Sequence, residues 1–263
     1  DRSNAVMRGK TVEIRYAISG WNYWHYAEIG SLEAEVERLR ALGYGIELWS
    51  RWPGEEDLFA EAQRERLKPL VRNMPVSLHS AIVDTFPAHA RQIETAQALG
   101  AVVIVVHAAD LCPPGTKQLD VALARDVVAY GAERDVRIAL ENGQLPFLVE
   151  ALDSVDGLGA CLDIGHVYLT PEPLDRFLAH LKPRLIHLHL QDILSDGEQD
   201  LPGMPPDHYL LGSGGIPRDD WALLAATLQE IDYDGMAVFE IRPRHPLQSA
   251  ALGRRFVAAL LGA

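Results

Sequence analysis

Glu141, Asp163, His189 and Glu240 each lie at or near the end of a short apolar run: IALENG, ACLDIGH, LIHLHLQD and AVFEIR. Three carboxylates and one imidazole make a hard, oxygen-rich donor set. Such a set suits Mn²⁺, Mg²⁺ or Co²⁺ and tolerates Zn²⁺. Three carboxylates in a partly dry pocket repel one another, and a divalent cation removes that cost. The competing reading pairs each acid with a local Arg or Lys.

Other residues of the same types fall at equivalent places. His79 ends VSLHSA and His107 ends VVIVVHA. His166 lies three residues after Asp163, and His208 sits in the long Gly-, Pro- and Asp-rich stretch 192–217. For these four, direct metal ligation and substrate contact or ligand support are both open. His187 faces the same way as His189 but one layer deeper, as expected of a packed, hydrogen-bonded residue. Glu47 and Trp49, closing GIELWS, could contact a ligand. Arg242 could hold a substrate hydroxyl or carboxylate, or form a salt bridge. The aromatic segment WNYWHY brings Trp21, Tyr23, Trp24 and Tyr26 around His25, and their flat faces could roof a sugar ring or pack at a rim. His89 and His180 lie in helical patterns and read as surface residues. A nucleophilic triad has no support: there is no GxSxG and no CxxC, Cys161 lies inside an apolar run, and Cys112 has no activating neighbour in sequence.

The elements that must position these residues alternate from end to end. Strands are expected at 11–19, 45–50, 76–81, 102–107, 137–141, 159–164, 185–190 and 236–241. Helices are expected at 31–43, 57–73, 87–99, 120–134, 145–154, 172–181, 219–231 and 246–261. In the first helix Leu32, Val36, Leu39 and Leu42 repeat at helical spacing, and Gly43 is placed as a stop. The strands are continuous apolar runs, as expected for parallel strands covered on both faces. Eight strand–helix units with no second composition zone predict one α/β domain over 11–263, a (β/α)8 barrel, preceded by an unstructured tail at 1–10. An open doubly wound sheet fits less well, because the Gly-rich turn after the first strand is missing. Active sites of barrels lie at the C-terminal strand ends, where the His, Asp and Glu residues fall.

The 263 residues are 48% hydrophobic and carry a formal net charge of −13. An acidic surface repels a phosphate backbone, and no Lys/Arg run offsets it, so a nucleic-acid partner is not expected. Two distant cysteines make no disulfide scaffold, which with no signal pattern or 20-residue apolar span gives a cytoplasmic, non-membrane expectation.

The segments LHS at 78–80, VVHA at 105–108, LENG at 140–143, CLDIGH at 161–166, HLQD at 189–192, HYLLGSG at 208–214 and FEIRP at 239–243 together resemble the xylose isomerase-like TIM-barrel superfamily. This superfamily includes sugar isomerases, ketose 3-epimerases, inosose dehydratases and endonuclease IV. In the isomerase and epimerase branch, the resemblance implies one divalent metal, Mn²⁺ first among candidates, on Glu141, Asp163, His189 and Glu240. Glu141 and Glu240 would serve as acid and base on a sugar-like carbonyl compound, with His166 on a substrate hydroxyl. The chain departs from some epimerases in lacking a basic residue after the strand-seven histidine, where 193–200 reads ILSDGEQD. The endonuclease IV branch implies a multi-zinc phosphodiesterase. There His79, His107, Glu141, Asp163, His166, His189, His208 and Glu240 match ligands, while the ninth position is Pro206 and Asp207 is displaced by one. A dehydratase-like lyase is the third alternative. Relatives are often homodimers or homotetramers.

Overall fold

Parallel strands bury both faces, and the apolar runs here close on themselves to do so. In the computed structural model, residues 14–25, 29–194, 206–242 and 245–262 are described. The tail 1–10, the start of the first expected strand, Tyr26, the DGEQD stretch at 196–200 and Pro243 lie outside the described residues.

The strands are β1 (Arg15–Ser19), β2 (Gly45–Leu48), β3 (Val76–His79), β4 (Val103–Val106), β5 (Arg137–Glu141), β6 (Gly159–Asp163), β7 (Leu185–Leu190) and β8 (Met236–Phe239). They form a closed parallel barrel in chain order, sealed by β1 pairing with β8. The helices are α1 (Leu32–Ala41), α2 (Glu61–Leu70), α3 (Phe86–Leu99), α4 (Val121–Ala132), α5 (Leu145–Ser154), α6 (Ile164–Val167), α7 (Leu174–Leu181), α8 (Arg218–Glu230) and α9 (Pro246–Leu261). The fold is therefore the expected (β/α)8 barrel.

Local chemistry sets several of these boundaries. The Ser31 hydroxyl accepts from the Ala34 N–H at the start of α1, and Asp120 does the same for Leu123 at α4. Expected to begin at 57, α2 begins at Glu61, because Asp57 has φ 47° and cannot continue a right-handed helix. Single-turn α6 was not expected; the Asp163 carboxylate starts it by accepting the His166 N–H at 2.9 Å.

The period of two along each strand sorts side chains between two environments. In β7, Leu188 and Leu190 face outward into the apolar shell between sheet and helices, while His187 and His189 face the barrel interior. Small apolar residues fill the interior elsewhere: Val103, Val105, Ala139 and Cys161 on one side, Ala17, Met236 and Val238 on the other. Ser19, Glu47, Ser77, His79, His187 and His189 are among the polar residues buried on the same strands. His89, expected at the surface, is 2% exposed; its Nε2 is 2.9 Å from the Asp110 carbonyl, because α3 turns that face onto the turn after β4.

Candidate functional site

The register of the barrel brings the four inner residues together. Asp163 pairs with His189, and His189 with Val238, one residue pair below the strand end that delivers Glu240. The His189 Nδ1 atom stands 2.7 Å from Glu141 Oε1, 3.6 Å from Glu240 Oε2 and 4.0 Å from Asp163 Oδ2. One donor atom from each of the four lies within 4.8 Å of the others. Ligand atoms at about 2.0–2.2 Å from an ion stand up to about 4.4 Å apart across it. Small side-chain adjustments would therefore let these four donors share one divalent cation.

Each inner residue is braced by groups that sequence patterns did not single out. The Ser19 hydroxyl donates to Glu240 Oε1 at 2.9 Å and accepts from Trp49 Nε1 at 2.9 Å. Asn22 bonds the backbone on both sides of Glu240, at Phe239 O and Ile241 N. Asn142 does the same for Asp163, bonding both its N–H and its carbonyl. Gln191 Nε2 donates to both Asp163 oxygens, at 2.9 and 2.7 Å, and its Oε1 accepts the His208 N–H. Asp192 accepts from the N–H groups of Ile193, Gly212 and Ile216, folding the loop that carries His208 back onto the barrel. His208 itself has φ 62°, a left-handed conformation uncommon for a non-glycine residue.

The four outer histidines converge on the same carboxylates. His107 Nε2 is 3.2 Å and His79 Nε2 3.9 Å from Glu141 Oε2; His208 Nε2 is 3.4 Å from Glu240 Oε2; His166 Nδ1 is 3.7 Å from Asp163 Oδ2. They form two further triads of donors, His79–His107–Glu141 and Asp163–His166–His208. Glu47 lies beneath the cluster, fully buried. Its Oε2 accepts from His187 Nε2 at 2.9 Å and from Ser77 at 3.0 Å, and its Oε1 is 3.1 Å from His189 Nε2. His187 thus has the packed, hydrogen-bonded role its register implied. Arg242 is turned to Asp207, meeting its carboxylate at 3.0 Å and its carbonyl at 2.6 Å. Trp24 is 43% exposed at the rim.

Proton affinities follow from this crowding of charge. Burial opposes ionisation of Glu141 and Glu240, but the His189 charge beside both, with His107 at Glu141 and His208 at Glu240, holds both carboxyls below the usual range. Asp163 goes the other way: burial raises it against the pull of His166. Burial works against a charged His107 and a charged His208, yet the hydrogen bond that the first donates to Glu141, and those that the second donates to Asp207 and Glu240, raise each to about 9. His79 is lowered to about 4 by burial and by the His107 charge. His107, His189 and His208 thus serve as counter-charges to the buried carboxylates, a role that a divalent cation would take over.

A closed eight-stranded barrel with a buried His, Asp and Glu cluster at its C-terminal mouth defines a class of mostly metal-dependent enzymes. The chain belongs to the xylose isomerase-like TIM-barrel family, whose model matches residues 36–260. Solved structures share the fold at low identity. The IOLI protein with a bound zinc atom aligns with TM-score 0.71 and 14% identity over 95% of this chain and 98% of its own. L-ribulose 3-epimerase aligns with TM-score 0.69 and 16% identity over 95% of each chain. The probable 3-DHS dehydratase AsbF of Bacillus anthracis aligns with TM-score 0.64 and 18% identity over 94% of this chain and 98% of its own. No curated protein matches the sequence significantly. Among the described residues no helix is long and apolar enough to cross a membrane.

Proposed function

We propose that the protein is a divalent-metal-dependent isomerase or epimerase of a sugar-like polyhydroxy carbonyl compound. The observation that carries this reading is the convergence of Glu141, Asp163 and Glu240 on one face of His189. A divalent ion held by these four, Mn²⁺ first by ligand hardness, would supply Lewis-acid polarisation of the substrate carbonyl. The remaining chemistry belongs to the chain. Glu141 and Glu240 reach the cluster from β5 and β8, on either side of β7. An ionised carboxylate of this pair would take the proton from the carbon beside the carbonyl, and its partner, once it has picked up a proton from solvent, would deliver one to the opposite face. Return by a different face inverts that carbon; return to the neighbouring carbon shifts the carbonyl. His166, partly exposed beside Asp163, would hold a substrate hydroxyl. The two buried free cysteines suit a reducing cytoplasm.

Glu240→Gln tests the assignment. Metal-loaded enzyme incubated with D-fructose, D-psicose or L-ribulose in D₂O should place deuterium on carbon, and the variant should lose that exchange while keeping its fold. Exchange at the wild-type rate in the variant would refute the role of Glu240.

The two flanking donor triads support a second reading, a multi-zinc phosphodiesterase. It requires two or three zinc ions per chain and cleavage of an abasic-site duplex. One manganese per chain with no cleavage removes it. Loss of a hydroxyl next to the deprotonated carbon would make the same machinery a dehydratase, and product analysis separates that outcome.

A further inference from the structure

Beside the cluster, the barrel mouth opens into a cleft of about 480 Å³ between the turn after β1 and the loops after β2 and β3. Trp21, Trp24, Trp49, Arg51, Ile82 and His107 are among its lining residues, and Glu141, Asp163, His189 and Glu240 are not. The cleft therefore adds room outside the reacting centre. The cleft reaches the cluster at His107, which lines it and stands 3.2 Å from Glu141.

The chemistry of the walls is unusual for an exposed surface. Trp24 is 43% exposed and Ile82 73% exposed, and both line this cleft. Large apolar groups left open to water around a concavity mark a binding surface. Trp49 is fixed rather than loose: it stacks on His79 at 4.0 Å and is tied to Ser19 through its Nε1. Indole faces take flat apolar faces of rings. Cavities that bury drug-sized ligands measure about 300–1,000 Å³, so this one has room for a ring system of its own.

We infer that the cleft holds a second ring covalently joined to the polyhydroxy carbonyl unit, so that the substrate is a glycoside-type compound and not a free monosaccharide. The inference rests on the proposed function for where the reacting carbon sits. The shared chemistry is a ring with an apolar face, which an aryl aglycone or a second pyranose supplies.

Tryptophan fluorescence of the metal-loaded protein, titrated with phenyl β-D-glucopyranoside, cellobiose and D-glucose, tests it. At least one two-ring compound should bind about tenfold or more tighter than D-glucose, and the tighter of the two names the kind of ring. Trp24→Ala should bring its affinity close to that of D-glucose, and Ile82→Ser should weaken it in part. Both substitutions are at exposed positions, and elemental analysis checks that metal content is unchanged. Equal affinity for one- and two-ring compounds, or a preference that survives Trp24→Ala, overturns the inference. Binding is read without turnover. Two-ring preference with no deuterium exchange on any carbonyl compound would sink the proposed function and leave the cleft standing; exchange on free ketoses without two-ring preference would do the reverse.

Discussion

Glu47→Gln probes whether the residue beneath the cluster positions the imidazole above it. The carboxylate accepts from His187 Nε2 at 2.9 Å and Ser77 at 3.0 Å, and its other oxygen faces His189 Nε2 at 3.1 Å; all three acid and imidazole side chains are 0% exposed. An amide of nearly the same volume replaces one acceptor oxygen with an NH₂ group. Whichever way it turns, one imidazole or the serine hydroxyl faces a donor. Switching the His187 tautomer restores one bond only by making its Nδ1, which has no hydrogen-bond partner, a buried donor. Breaking a buried charged pair costs about 3–5 kcal/mol. At about 2–4 °C per kcal/mol for a chain near this size, the melting midpoint of the metal-free protein should fall by roughly 6–20 °C. Metal affinity should fall about 10–100-fold, as when the partner of a ligating histidine is lost. Calorimetric melting and Mn²⁺ titration read the two effects. Burial opposes ionisation of Glu47, and the His189 and His187 contacts outweigh it, holding the carboxyl well below its usual range. Its contribution is thus present at neutral pH and lost in acid, so the gap between wild type and variant should narrow as pH falls. A midpoint within about 2 °C of wild type, together with unchanged Mn²⁺ affinity, would show that Glu47 only fills space.

Two further expectations follow from the same geometry. In the metal-free protein His107 and His208 are raised to about 9 from 6.5, so the stability they contribute is fully present below pH 6.5 and lost as pH rises through 9. Metal affinity should rise over that window, because ligands must shed their protons; melting and metal titration across pH 6–10 should show opposite slopes, and parallel slopes would refute the counter-charge role of the two histidines. Gly165→Ala would place a Cβ 2.5 Å from Gln191 Cδ and Oε1, forcing the side chain that grips both Asp163 oxygens and the His208 N–H. The expected cost is about 1–3 kcal/mol with reduced metal occupancy, measured by melting and elemental analysis; a variant with wild-type occupancy would show that Gln191 does not set the position of Asp163.

What was legible in the sequence was what repeats locally. Buried parallel strands are written as apolar runs, and a His, Asp or Glu at the end of such a run can only project at the mouth. The runs alone therefore put Glu141, Asp163, His189 and Glu240 at one end of the barrel. Groups that act across the barrel left no such trace. Ser19 meets Glu240 across 221 positions of chain, and Asn22 meets Phe239 across 217. A serine or asparagine in an apolar run looks like an ordinary polar interruption until the barrel closes. Similarly, α6 is a single turn, too short to show a period, and the burial of His89 depends on the turn that follows β4.

The choice between one metal and several turns on where the outer charges go once the inner set is neutralised. Without a cation, His107 leans on Glu141, His208 on Glu240 and His166 on Asp163. A divalent ion on the inner four would compete for those carboxylates and release the imidazoles. Released imidazoles could ligate more metal as neutral donors, but each added dication brings buried charge that nearby carboxylates would help to offset. Asp207 is a carboxylate on the loop 4.0 Å from His166, but Arg242 already grips it through both its carboxylate and its carbonyl. A guanidinium in that position neutralises the donor a third ion would need and adds positive charge beside the same histidines. This supports the reading proposed above, in which one ion would sit on the inner set and the outer histidines would face hydroxyl groups of the substrate.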